Sequence, residues 1–135
     1  MKKIESQQVL KMHSMLIERI GGRDGVRDLS VLKSALEAPF QTFLGEDLYL
    51  TIEQKAARLC YGLIKNHAFH DGNKRIGVLT LLTFLEINEI KVEFNDEELI
   101  DIGISIATDK MSLEALTDKI NQHKKISKEN IQEMN

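Results

Sequence analysis

Nine consecutive residues, His67-Ala68-Phe69-His70-Asp71-Gly72-Asn73-Lys74-Arg75, place a proton acceptor, a metal-capable carboxylate, a glycine and two cations in one short segment. Each has an ordinary use when taken alone. His67 can end a helix, where the dipole favours it, Asp71 suits a turn, Asn73 suits an N-cap, and Lys74-Arg75 reads as a solvated pair. Their conjunction has a narrower use. Gly72 permits a left-handed backbone and close approach of a ligand. The helix expected to start near Asn73 offers unpaired N–H groups at the positive end of its dipole. Lys74 and Arg75 in that first turn repel the dipole, and a bound phosphate turns this repulsion into attraction. Asp71 beside an anion site is sensible if Mg²⁺ bridges it to phosphate oxygens. An imidazole can take a proton from a hydroxyl near neutral pH, which gives His67 the role of base. Base, metal ligand, helix-terminus amides and paired cations together describe phosphoryl or nucleotidyl transfer. Phe69 is expected to point away and anchor the turn; His70 receives no role.

The flanking patterns say what must position these groups. Thr51, with Gln54 three residues later, forms a capping box. The helix that follows, to about Asn66, buries Ala56, Leu59, Cys60, Leu63 and Ile64. The helix from Asn73 to Asn88 is apolar nearly all round from Ile76 to Leu85, which places it in the middle of a bundle. The nine residues therefore form a tight turn between two core helices. Ser6 to Ile20 reads as a helix with Val9, Leu10, Met12, Leu16, Ile17 and Ile20 inward. Gly21 to Asp28 reads as a charged, flexible connection, and Leu29 to Ala38 as a second helix closed by Pro39. Phe40 to Leu50 reads as a loop whose Phe43, Leu44, Leu48 and Tyr49 either lie on the body or shape a binding surface. Asn95 and Ser112 start two further helices, the first with Leu99, Ile102 and Ile106 inward. Ile90 to Phe94 is the one candidate strand. The fold class is all-α: a single helical domain of about six helices over residues 1–124, with a polar tail at 125–135 expected to fray.

Composition bounds the rest. The 135 residues hold 42% hydrophobic and 29% charged residues, with one Pro, eight Gly and a net charge of −3. No global basic field exists to hold nucleic acid. The single Cys60 excludes an internal disulfide and reads as a buried packing thiol. No uncharged run is long enough to span a bilayer, and the N-terminus lacks a signal-peptide core, so the expected location is the cytoplasm.

The segment His67 to Arg75 resembles the signature of the Fic/Doc (Fido) superfamily, His-x-Phe-x-(Asp/Glu/Asn)-(Gly/Ala)-Asn-(Gly/Lys)-Arg, at every position. Lys74 after the Asn is similar to the Doc (death-on-curing) branch, as are Gly21-Gly22, Gly25-Val26-Arg27-Asp28, the Leu32 to Pro39 stretch and Phe84 to Asn88. The resemblance implies a helical toxin of a toxin–antitoxin pair that transfers the terminal phosphate of ATP to a threonine of elongation factor Tu. It implies His67 as catalytic base, Asp71 as Mg²⁺ ligand, Gly72 and Asn73 as the anion-holding turn, and Lys74 and Arg75 on the phosphates. Adenylylating Fic enzymes carry a second Arg where this chain has Val78. A self-inhibiting Ser/Thr-x-x-x-Glu-Gly/Asn helix is also missing, since Lys125 precedes Glu129-Asn130 and Asp47 follows Glu46. An antitoxin partner is then expected, with the Phe40 to Leu50 loop and the first helix as docking surfaces.

Three alternatives use the same residues. Adenylylation would employ them with the opposite nucleotide orientation. A metal-dependent phosphohydrolase would use His70-Asp71 with further ligands from His13 and His123, but leaves Asn73-Lys74-Arg75 unexplained. A non-catalytic Fido-like module would bind a partner or nucleotide without turnover.

Overall fold

Among the described residues, four of six helices begin at a side chain that accepts a hydrogen bond from the backbone N–H three residues on. These are Asp28, Thr51, Asn95 and Ser112, bonded to Val31, Gln54, Glu98 and Ala115. Such caps satisfy donors that a helix start leaves free. The computed structural model describes residues 1–125. Its elements are α1 (Ser6–Ile20), α2 (Leu29–Glu37), a 3₁₀ turn (Ala38–Phe40), β1 (Thr42–Phe43), β2 (Glu46–Asp47), α3 (Ile52–Asn66), α4 (Asn73–Ile87), α5 (Asp96–Ala107) and α6 (Leu113–Gln122). The fold is all-α, as the periodicities require. Among the described residues a single two-stranded antiparallel hairpin pairs Thr42 with Asp47 and Phe43 with Glu46.

Helices α3 and α4 form the central pair, and the other helices pack around them. On α4, Ile76, Leu81 and Leu85 are fully buried, and on α3, Ala56, Ala57, Cys60 and Leu63 are. Burial pushes the Cys60 thiol far above its ordinary pKa, so it packs as an inert small hydrophobe. The helix pair is close because position 77 has no side chain. A Cβ on Gly77 would lie 2.6 Å from Ile64 Cγ1 and 3.2 Å from the Cys60 carbonyl oxygen. The turn between the two helices is thus held from both sides by the core.

Several expectations need correction. The Gly21 to Asp28 connection is not a free linker: Arg27 and Asp28 N–H donate to the Ala68 carbonyl at 2.8 and 3.1 Å, and His70 N–H donates to Gly25 O at 3.2 Å. Backbone pairing between stretches forty residues apart is invisible to local pattern. Ile20, expected inward, is 52% exposed, whereas His13 on the same helix is buried. The Phe40 to Leu50 segment contains the hairpin. Its Asp47 and the Tyr49 carbonyl are tied to the buried Lys55 ammonium on α3. The candidate strand Ile90 to Phe94 makes a single bridge, Val92 with Lys124. Lys124 also reaches Glu53, and Lys125 N–H donates to Lys91 O. The rest of the expected polar tail lies outside the described residues.

Candidate functional site

Helix α4 starts at Gly72, which has no side chain with which to cap it and sits at φ 78°, a left-handed angle that favours glycine. The amides of Asn73, Lys74 and Arg75 consequently find no acceptor among the described residues. Lys74 and Arg75 are exposed in the same turn and form no salt bridge among those residues. Three free donors, a positive dipole end and two unpaired cations make a place for a bound anion.

Asn73 is turned the other way. Its Oδ1 accepts from Phe69 N–H at 3.1 Å and its Nδ2 donates to Phe69 O at 3.0 Å, both buried. The side chain therefore clamps the turn onto α4, and what it presents outward is its backbone N–H. Neither the N-cap use nor direct ligand contact by the amide describes it. Phe69 itself is buried, as its apolar ring predicts, and stacks on the His13 ring at 3.8 Å between centroids.

Asp71 is exposed at the edge of the turn. Its Oδ2 accepts from Arg23 N–H at 3.2 Å and its Oδ1 from Gly72 N–H at 2.9 Å. The backbone bonds from Arg23 and Gly72, the first contributing most, hold its carboxyl below the usual carboxylate range. An ionised carboxylate accepts about four hydrogen bonds or ligands, so two positions remain for a cation. One carboxylate together with ligand phosphates suits Mg²⁺, which binds in that way rather than in an all-protein cage. Among the described residues no three His, Cys, Asp or Glu side chains cluster as a metal site, so the phosphohydrolase alternative lacks its further ligands.

His67 ends α3 in the left-handed conformation, φ 49° and ψ 56°. This costs a non-glycine residue roughly 1–2 kcal/mol, and His tolerates it better than most. Arg27 secures it: Nε donates to His67 O at 2.6 Å and Nη2 to Asn66 O at 3.0 Å, capping the free carbonyls of α3. The His67 ring is exposed and makes no hydrogen bond among the described residues, a state suited to a base awaiting its acceptor.

Asp71, Gly72, Asn73, Lys74 and Arg75 line one end of a cavity of about 740 Å³. Its walls continue along Val78, Leu79 and Leu82 of α4, Asp96, Leu99, Ile100 and Ile104 of α5, and Ile20 of α1. The anion end is thus continuous with an apolar trough, a pattern suited to a ligand with a charged and an apolar part. His67 is not among the lining residues. From sequence, the α5 wall and Arg27 had no role at the turn, and His13 only that of a candidate metal ligand, because each lies far along the chain from the turn it serves.

Residues 3–85 match the Fic/DOC family. The chain belongs to the Fic/Doc family. A protein named Toxin Doc from Mycolicibacterium smegmatis is 34% identical over 102 residues, covering 74% of this chain and 78% of that protein. Protein kinase doc of Escherichia phage P1 is 27% identical over 120 residues, covering 89% of this chain and 94% of its own length. The similarity to these two Doc proteins spans most of the chain, and the Doc branch suggested by Lys74 is therefore the right one. In this Fic/Doc chain the signature residues sit where the fold leaves amides and cations unpaired. No helix among the described residues is long and apolar enough to cross a membrane.

Proposed function

We propose that this chain is the toxin of a toxin–antitoxin pair, acting in the cytoplasm by transferring the terminal phosphate of ATP to a threonine hydroxyl of elongation factor Tu. The observation that supports this most directly is the uncapped start of α4. Three free amides, Lys74, Arg75 and the Asp71 carboxylate surround one end of the cavity, in a chain related to a protein kinase of its own family. The Gly72 turn and the amides of Asn73 to Arg75 hold the transferred phosphate, while Lys74 and Arg75 neutralise its charge. Asp71 would hold Mg²⁺, which when bound draws electron density from the phosphate oxygens. His67 accepts the proton of the threonine hydroxyl as that oxygen attacks phosphorus and ADP leaves. Position 78, an arginine in adenylylating Fic enzymes, is a buried valine on the cavity wall, which favours phosphate over AMP transfer.

Mass spectrometry of elongation factor Tu after incubation with this protein, ATP and Mg²⁺ tests the reading. Addition of one phosphate is the expected result. Addition of AMP would replace the reading with adenylylation, and an unchanged mass would refute transfer to this substrate.

A chain that modifies a translation factor needs a brake, and an antitoxin supplies it in this proposal by covering the site. Phe43, Leu44 and Leu48 are 67%, 88% and 51% exposed, so they do not seal the domain's own core. Ile20, Ile100 and Ile104 add exposed apolar surface beside Lys74 and Arg75. Such patches mark interaction surfaces. Expression of this chain alone should arrest growth, and co-expression of the neighbouring small open reading frame should restore it through direct binding. Harmless expression of the intact chain, or rescue without binding, would refute the pairing.

A further inference from the structure

His13 lies on α1, fifty-eight residues from Asp71 and outside the nine-residue segment, yet its ring is built into the turn. It is 1% exposed and stacks on Phe69 with an interplanar angle of 14°. Nε2 stands 2.7 Å from the Asp71 carbonyl oxygen. A carbonyl only accepts, so Nε2 carries the hydrogen and donates it. The other ring nitrogen, Nδ1, lies 3.6 Å from Asp24 Oδ1, near it but not hydrogen-bonded, and that oxygen accepts from Gly25 N–H at 2.8 Å. One imidazole thus contacts both the signature turn and the glycine-rich connection that pairs with it.

The peptide between Asp71 and Gly72 is planar and trans, so its C=O and N–H point in opposite directions. Holding the carbonyl inward on His13 turns the Gly72 N–H outward, where it donates to Asp71 Oδ1. The second carboxylate oxygen is held by Arg23 N–H, on the connection anchored through Asp24. The space around this arrangement is filled. A Cβ on Gly22 would lie 2.7 Å from Asp71 Oδ2, and one on Gly72 would lie 3.4 Å from His13 Nε2. With φ of 112° and 78°, both positions also demand glycine for their backbone.

We infer that His13 is the positioning residue of this site: by fixing the Asp71–Gly72 peptide it aims the Asp71 carboxylate and the first amides of α4 at the bound metal and phosphate. The inference rests on the proposed function for what is bound, but its geometric half holds without any ligand. His13 itself touches no reacting atom. It acts through the orientation of Asp71 and Gly72, as supporting groups do behind a binding constellation.

Two variants separate its parts. His13→Phe keeps a ring on Phe69 and removes the donor; His13→Gln keeps a donor near the position of Nε2 and removes the ring. The measurements are amide hydrogen exchange at Gly72 and Arg23 in the ligand-free protein, and ATP affinity with and without Mg²⁺, each on protein shown to be folded by circular dichroism. His13→Phe should speed exchange at both amides about tenfold, the value of one hydrogen bond. It should also abolish most of the Mg²⁺-dependent tightening of ATP binding while Mg²⁺-free affinity stays within about twofold. His13→Gln should restore both. Wild-type exchange at Gly72 and Arg23 in folded His13→Phe would overturn the inference. So would imidazole ¹⁵N spectra of the wild-type protein showing Nε2 without its hydrogen, a measurement that stands even if a variant does not fold. If exchange responds as expected but the wild-type protein binds no ATP, the proposed function fails and the positioning of the turn by His13 does not.

Discussion

His67→Ala is expected to slow phosphate transfer by about 10²–10⁴-fold, the usual contribution of a general base, while leaving ATP affinity nearly unchanged. The separation follows from place. His67 ends α3 with an exposed ring and is not among the residues that line the cavity, whereas Lys74, Arg75 and the residues bearing the free amides are. Because position 67 has φ of 49°, alanine there is strained, and a lost activity could reflect a moved turn. His67→Asn is the cleaner variant, since asparagine tolerates the left-handed region and cannot act as a base. Both should lose turnover alike, with circular dichroism and thermal melting checking the fold and titration calorimetry checking ATP binding. A fall of less than tenfold in folded His67→Asn would remove the base role from His67.

The second large effect divides metal from phosphate. Asp71→Ala should abolish the tightening of ATP binding by Mg²⁺, because Asp71 is the only carboxylate within the turn. Arg75→Ala should weaken ATP binding roughly ten- to hundredfold with or without metal, the range for losing charge-assisted hydrogen bonds to a phosphate. Asp71 also receives the Arg23 and Gly72 amides, so Asp71→Asn is the control that keeps an acceptor while removing the charge. It should match Asp71→Ala in its response to Mg²⁺. Calorimetric titrations of ATP, with and without Mg²⁺, compare the three. If Asp71→Ala and Arg75→Ala behave identically, the division of roles between the two side chains is wrong.

What the sequence by itself determined is the set of local features. Six helices were legible because apolar residues recur at helical spacing and because Thr51, Asn95 and Ser112 announce helix starts by their own chemistry. The turn from His67 to Arg75 was legible for a related reason: a base, a carboxylate, a glycine and two cations in nine consecutive residues need no tertiary information to be noticed. Family membership followed from the same segment. The central position of α4 was readable from its apolar circumference and the core face of α3 from Ala56, Leu59, Cys60, Leu63 and Ile64, whereas the burial of Ala57 and Gly62 was not, since they add little hydrophobic signal.

Tertiary structure alone decided how those groups are held and what surrounds them. The clamp of Asn73 on Phe69 is short in sequence, but its inward direction depends on Gly72 taking over the start of α4. The connection Gly21 to Asp28 looked flexible because its contacts to Ala68 and His70 are backbone bonds, which carry no signature in residue type. His13 appeared only as a possible metal ligand of the phosphohydrolase alternative, and Ile20 as one more inward apolar residue, until packing buried the first against the turn and exposed the second. The trough beyond the Asp71 to Arg75 end of the cavity joins α1, α4 and α5, three elements whose mutual placement no local periodicity specifies. Local chemistry is written in residue types along the chain, whereas a site's walls and supports come from residues brought together only when distant segments bury against one another.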